Sequence, residues 1–184
     1  MIPGVPESGR DGLVVAEQVG RVPRPPWRVA VRCRFGYPTV IVSPSVLADG
    51  MRFPTFAWLT CPWLIELASA AESRGETALW ARRAAVDAGL RSQLAETDRT
   101  MRELRAAESG GNDACAVVGI AGQASSAGVK CLHAHVALAL VGVPDPIGLE
   151  LLGEWQDECD DERCARLIPD ASAQNSGAHV KEGA

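Results

Sequence analysis

The stretch from Trp27 to Val42 restricts the fold of this chain more than any other part of it. WRVAVRC sets Trp27, Val29 and Val31 against Arg28 and Arg32, the two-residue period of a strand with one buried face. The β-branched run TVIV at residues 39–42 follows the turn Phe35-Gly36-Tyr37-Pro38 and reads as the partner strand. An antiparallel hairpin is therefore expected, with Cys33 at a strand end beside a tight turn. Such a hairpin needs a cover for its apolar face.

Helices are expected to supply that cover. Pro62 suits the first position of a helix, where its missing N–H is no loss, so Cys61 is read as the N-cap of a helix running to about Arg74. Trp63, Leu64, Leu67 and Ala71 form its apolar stripe. Two further helices are expected over residues 76–88 and 90–108, divided by Gly89. In the second of these, Leu90, Leu94, Thr97, Met101 and Leu104 recur at helical spacing, giving one arm of a helical hairpin. Residues 116–128 read as a short apolar strand and a small-residue loop. Residues 129–141 read as a helix bearing KCLHAH, and Asp145-Pro146 opens a last short helix. A short helix over residues 12–20 precedes the hairpin. The expected class is α+β: a small antiparallel β element packed against a helical hairpin and a C-terminal Cys/His-bearing helix.

Charge and composition exclude some functions. No apolar run approaches the ~18 residues of a membrane span, and the opening MIPGVPESGRDG lacks the basic start and apolar block of a secretory signal, so the reading is cytoplasmic. The net charge of -5 is concentrated from Glu150 onward, where nine carboxylates face three cations. Arg21, Arg24, Arg28, Arg32 and Arg34 have no carboxylate among them; they read as the solvated outward arginines of a strand, with an anionic partner near the segment as the alternative. A nucleic-acid module is not evident, and nucleic acid is not an expected partner. The loop from Gly122 to Gly128, with Lys130 beyond it, departs from the spacing of a phosphate-binding loop and reads as a plain connection.

The six cysteines form no closely spaced pair of the zinc-ribbon kind, so a metal site has to be assembled by folding. Two of the three histidines, His133 and His135, stand beside Cys131, while Cys33 and Cys61 lie at turn-like ends. Three thiolates with one imidazole make a tetrahedral zinc set, and an iron–sulfur cluster is the alternative. In a regular helix His133 projects away from Cys131, and it turns toward the sulfur only if Cys131 lies at or before the first turn. Cys61 also stands where a helix dipole favours thiolate, which offers a metal-free reactive thiol.

At these residues the chain resembles DUF501, a bacterial family of uncharacterised role best represented in actinobacteria. The resemblance rests on RCRFGYP at residues 32–38, FPTFAWLTCP at 53–62, GVKCLHAH and VALAL at 128–140, and DPIG at 145–148. It covers residues 12–152 as one domain and leaves outside it a flexible start, residues 1–11, and an acidic, disordered tail, residues 153–184. It implies Cys33, Cys61, Cys131 and His133 as the metal ligands, with His135 as alternate or outer partner, and Cys115, Cys159 and Cys164 as incidental. The expected function is a zinc-stabilised structural or adaptor protein that binds another protein through its helical hairpin. An enzyme with an open metal or iron–sulfur site is the alternative.

Overall fold

The computed structural model describes residues 5–6, 9–125 and 128–167. The parts of the expected flexible start and acidic tail at residues 1–4, 7–8 and 168–184 lie outside the described residues, as do positions 126 and 127 of the 122–128 loop.

The expected hairpin is present and belongs to an antiparallel sheet of order β1-β2-β3-β4. Its strands are β1 (Val5–Pro6), β2 (Arg28–Arg32), β3 (Pro38–Val42) and β4 (Ala57–Leu59). Gly36 makes the β2–β3 turn at φ 85°, a left-handed conformation that glycine adopts without a Cβ penalty. Val29 pairs with Ile41 and Val40 with Leu59, so β3 is the central strand of the three longer ones and is buried along its whole length.

Helices cover both faces of the sheet, not one. α1 (Gly9–Val19) places Val15 against Trp27, Val29 and Ile41 on one side. On the other side Val40, Val42 and Leu59 join a larger core with Leu64 of α2 (Pro62–Ser73) and with Leu132 and Val136 of α5 (Leu132–Leu140). That core continues to α3 (Glu76–Val86), α4 (Ala88–Glu108) and α6 (Pro146–Glu154), through Trp80, Leu94, Met101, Ile147 and Leu151. Among the described residues this is an α+β fold, with no helix long and apolar enough to cross a membrane.

Two expectations are corrected here. The β2 arginines are not simply solvated: register shifts on either side of Val31 break the alternation. Arg28 reaches Glu108 of α4 through two bonds of 2.8 and 2.6 Å, and Arg32 reaches Asp11 of α1 through bonds of 2.9 and 2.7 Å. Their anionic neighbours are thus carboxylates of this same chain. Residues 116–128 also form no strand among those described. The segment is held by side chains instead: buried Arg105 donates to the carbonyls of Cys115 and Val118, and the Asp98 carboxylate accepts from Ile120 N at 3.0 Å. With its backbone groups taken this way, the segment closes in a 3-10 turn, Ile120–Gly122.

Helix ends follow local chemistry. Cys61 caps α2 ahead of Pro62, and Asp145 caps α6 ahead of Pro146, accepting from Gly148 N at 2.8 Å. Gly148 permits the close approach of α6 to α5, since a Cβ there would lie 2.2 Å from the His135 carbonyl oxygen.

Candidate metal centre

α5 begins one residue after Cys131, which is extended at φ -154° and ψ 117° and serves as N-cap. From this start Leu132 enters the core, followed by Val136 one turn later. The irregular start turns the Cys131 sulfur toward His133, and Sγ lies 3.6 Å from Nδ1.

The third member comes from α2. Glu72, in its last turn, places Oε1 2.6 Å from Leu132 N and 3.1 Å from His133 Nδ1. A carboxylate at the end of its own helix is disfavoured by that helix's dipole, but here it meets the positive N-terminus of α5. Ser69, one turn earlier on the same face of α2, has its Oγ 3.2 Å from His133 Nε2, so both ring nitrogens are held from one helix. The bond to Cys131 raises the imidazole pKa to about 9, with the Cys131 and Glu72 charges adding to it and burial opposing it.

Among the described residues, Glu72, Cys131 and His133 are the group whose three ligand atoms lie within 4.8 Å of one another. The spacing suits a metal. Zinc bonds of about 2.0–2.3 Å at tetrahedral angles separate donors by about 3.3–3.6 Å. The sulfur–nitrogen and nitrogen–oxygen separations of 3.6 and 3.1 Å are close to that. All three residues are half-buried, so an ion bound there can be reached from solvent.

Cys131 and His133 also line a groove of about 550 Å³ between α5, β4 and the end of α1. Arg21 and Lys130 face the same groove, and among the described residues no carboxylate lines it. Arg21 stacks on Trp58 at 4.9 Å, and Lys130 Nζ lies 3.4 Å from the carbonyl of Ala121.

The expected ligands are divided. Cys131 and His133 come together, whereas Cys33 and Cys61 line a different small cavity with Cys159 and Cys164. Cys61 is eight residues before Ser69 and eleven before Glu72, or about 12–16 Å along α2, too far for one ion to bridge. Cys61 is not an activated thiol either. Burial pushes it up to about 11 and outweighs the backbone N–H groups of Leu64 and Trp63 that favour thiolate. His135 is fully buried and turned away from the ligand group, with Nδ1 2.7 Å from Asp145 Oδ2. It ties α5 to the cap of α6 and lies outside the Glu72–Cys131–His133 group.

Sequence reasoning missed Glu72. Its one local signal is an acidic residue in a last helical turn, where a basic one is favoured.

The DUF501 family model, described as a protein of unknown function, matches residues 29–153, about two thirds of the chain. No curated protein and no solved structure matches it. The matched region contains β2 from Val29 onward, β3 and β4, the helices α2 to α5, the α6 residues up to Gly153, and all three members of the Glu72–Cys131–His133 group, and the chain belongs to the DUF501 family.

Proposed function

We propose that this protein holds one zinc-class ion on Glu72, Cys131 and His133, with the remaining coordination position open to the groove, and that it acts there on an anionic small molecule. The observation that carries this reading is the meeting of three donors within 4.8 Å of one another beside a groove that Cys131 and His133 line together with Arg21 and Lys130. Three protein ligands with one exchangeable position are the pattern of catalytic zinc, whereas a structural site is closed by four. This favours the open-site alternative over the adaptor expected from the sequence. A bound zinc ion supplies Lewis acidity to whatever occupies the open position. Ser69 fixes the His133 ring, Glu72 joins the end of α2 to the start of α5, and Arg21 and Lys130 offset charge on the incoming group.

Metal content of the purified full-length protein tests the ligand set. Glu72→Gln, Cys131→Ser and His133→Asn should each remove about one zinc per chain. The open position is tested by loading cobalt and adding inorganic phosphate. A change in the visible cobalt bands is expected, and bands that ignore phosphate while three-ligand loading persists would overturn the anion-binding part.

A further inference from the structure

Four of the six cysteines meet at a second place. Cys33 follows β2 at the turn into β3, Cys61 caps α2, and Cys159 and Cys164 belong to the segment after α6, which ends in a short 3-10 turn, Arg163–Arg166. All four line one small cavity of about 10 Å³, and all four are free thiols. Cys61, Cys159 and Cys164 are buried and Cys33 is half-buried.

The way this segment is held is the second observation. From Gln156 to Arg166 the only buried residues are Cys159 and Cys164, in the acidic sequence QDECDDERCAR. Ordering a residue costs about 1–2 kcal/mol of backbone entropy, and two small thiols bury too little apolar surface to offset that over such a length. Apart from Gln18 Nε2 against Cys164 Sγ, the remaining contacts are at the surface or nearly so. Trp63 Nε1 donates to Gln156 O at 2.7 Å, Arg34 N to Glu158 Oε1 at 2.7 Å, Arg34 Nη2 to Cys159 O at 3.0 Å and Arg163 Nη1 to Glu66 Oε2 at 2.7 Å. Exposed pairs of this kind contribute little each. Yet they all bring the segment to one point, over the N-terminus of α2 and the β2–β3 turn, where the two buried thiols face Cys33 and Cys61.

We propose that Cys33, Cys61, Cys159 and Cys164 form a closed tetrathiolate site for one zinc-class ion that fastens this segment to the domain. The cavity has room for a single atom-sized centre, which favours one ion over a multinuclear cluster. Ligation draws the sulfurs in by side-chain rotation from the wider spacing of the free thiols, in which no three lie within 4.8 Å. Each ligated thiol gives up its proton to solvent, and the four thiolates leave a net charge of about -2 around a divalent ion. The surroundings suit that charge. Cys61 stands at the N-terminus of α2, Gln18 Nε2 lies 3.3 Å from Cys164 Sγ, and Arg34 and Arg163 flank the segment. The site is closed by four protein ligands, so its role is structural, in contrast to the open group at Glu72.

The test is metal analysis of full-length protein purified without oxygen, comparing the unsubstituted chain, Cys131→Ser, and Cys159→Ser combined with Cys164→Ser. About two zinc ions per chain are expected in the first and about one in each variant. One zinc that survives Cys131→Ser and is lost in the double variant supports this site and refutes the one at Glu72. A double variant that keeps all the metal of the unsubstituted chain overturns the proposal. Because the double variant can fail to fold for other reasons, a second measurement uses the Cys131→Ser protein loaded with cobalt. A near-ultraviolet thiolate-to-cobalt band supports the site. Its absence, iron with sulfide, or a Cys159–Cys164 disulfide in the anaerobic protein overturns it.

Discussion

Arg105→Met should destabilise this protein severely, and the reason lies in how many groups one buried side chain serves. The Arg105 side chain is fully buried. Its Nε lies 2.9 and 3.1 Å from the two Asp113 carboxylate oxygens, Nη1 donates to Pro54 O at 2.7 Å, and Nη2 donates to Cys115 O at 2.8 Å and Val118 O at 2.7 Å. Methionine fills much of the volume but leaves the nearly buried Asp113 carboxylate without its cation. Breaking a buried pair in this way costs about 3–5 kcal/mol. With a urea m-value of about 2 kcal/mol/M, the unfolding midpoint should fall by about 1.5–2.5 M. Arg105→Lys keeps a charge opposite Asp113 but lacks the planar fork that reaches three carbonyls at once, so about half that loss is expected. Adding Asp113→Asn to Arg105→Met should recover part of the loss, because the stranded charge is gone. The measurement is urea unfolding followed by circular dichroism. An Arg105→Met midpoint shift below about 0.5 M, or no recovery in the double variant, would refute the reasoning.

Other consequences can be measured independently. In Gly148→Ala the new Cβ would sit 2.2 Å from the His135 carbonyl oxygen and 2.8 Å from Ala139 Cβ, so α6 must move off α5. A loss of about 1–3 kcal/mol is expected, seen as a melting temperature lowered by about 3–10 °C, and an unchanged melting temperature would contradict the packing described. In zinc-free protein His133 has its pKa raised to about 9 from 6.5, so it contributes stability that is complete below pH 6.5 and lost as pH rises through about 9. Thermal melts of the zinc-free protein across that window should show the loss, and His133→Asn should abolish it. Alkylation of zinc-free protein at pH 8 should modify half-buried Cys131, beside an imidazolium, well before Cys61, whose thiol is pushed up to about 11. Peptide mapping reads the order, and faster modification of Cys61 would reverse it.

What could be read from the sequence was local. Pro62 after Cys61 and Asp145-Pro146 mark helix starts through chemistry confined to one turn, and the structure has helices starting at both. The condition for Cys131 to meet His133, an irregular helix start, is also local and is met. Glu72 was hidden because its role arises where the end of α2 meets the start of α5, and no pattern within either helix encodes that meeting. Cys61 was misjudged because the dipole of its helix is visible in sequence while its depth in the core is not, and burial is the larger effect. The arginines of β2 looked free because their partners, Glu108 and Asp11, lie on other elements. Cys159 and Cys164 looked incidental within an acidic segment, yet they are its two buried side chains and face Cys33 and Cys61 across one cavity.

The open zinc site is tested most directly by adding zinc to metal-free, full-length protein while following the histidine ring protons by NMR. The chain has three histidines, His133, His135 and His179, so each can be assigned with a single substitution. Zinc held by Glu72, Cys131 and His133 should move the His133 resonances at about one equivalent beyond any uptake by the four thiols. It should also stop their titration with pH, while His135, buried against Asp145, stays where it was. Zinc uptake that is complete with the His133 resonances unmoved would contradict the site.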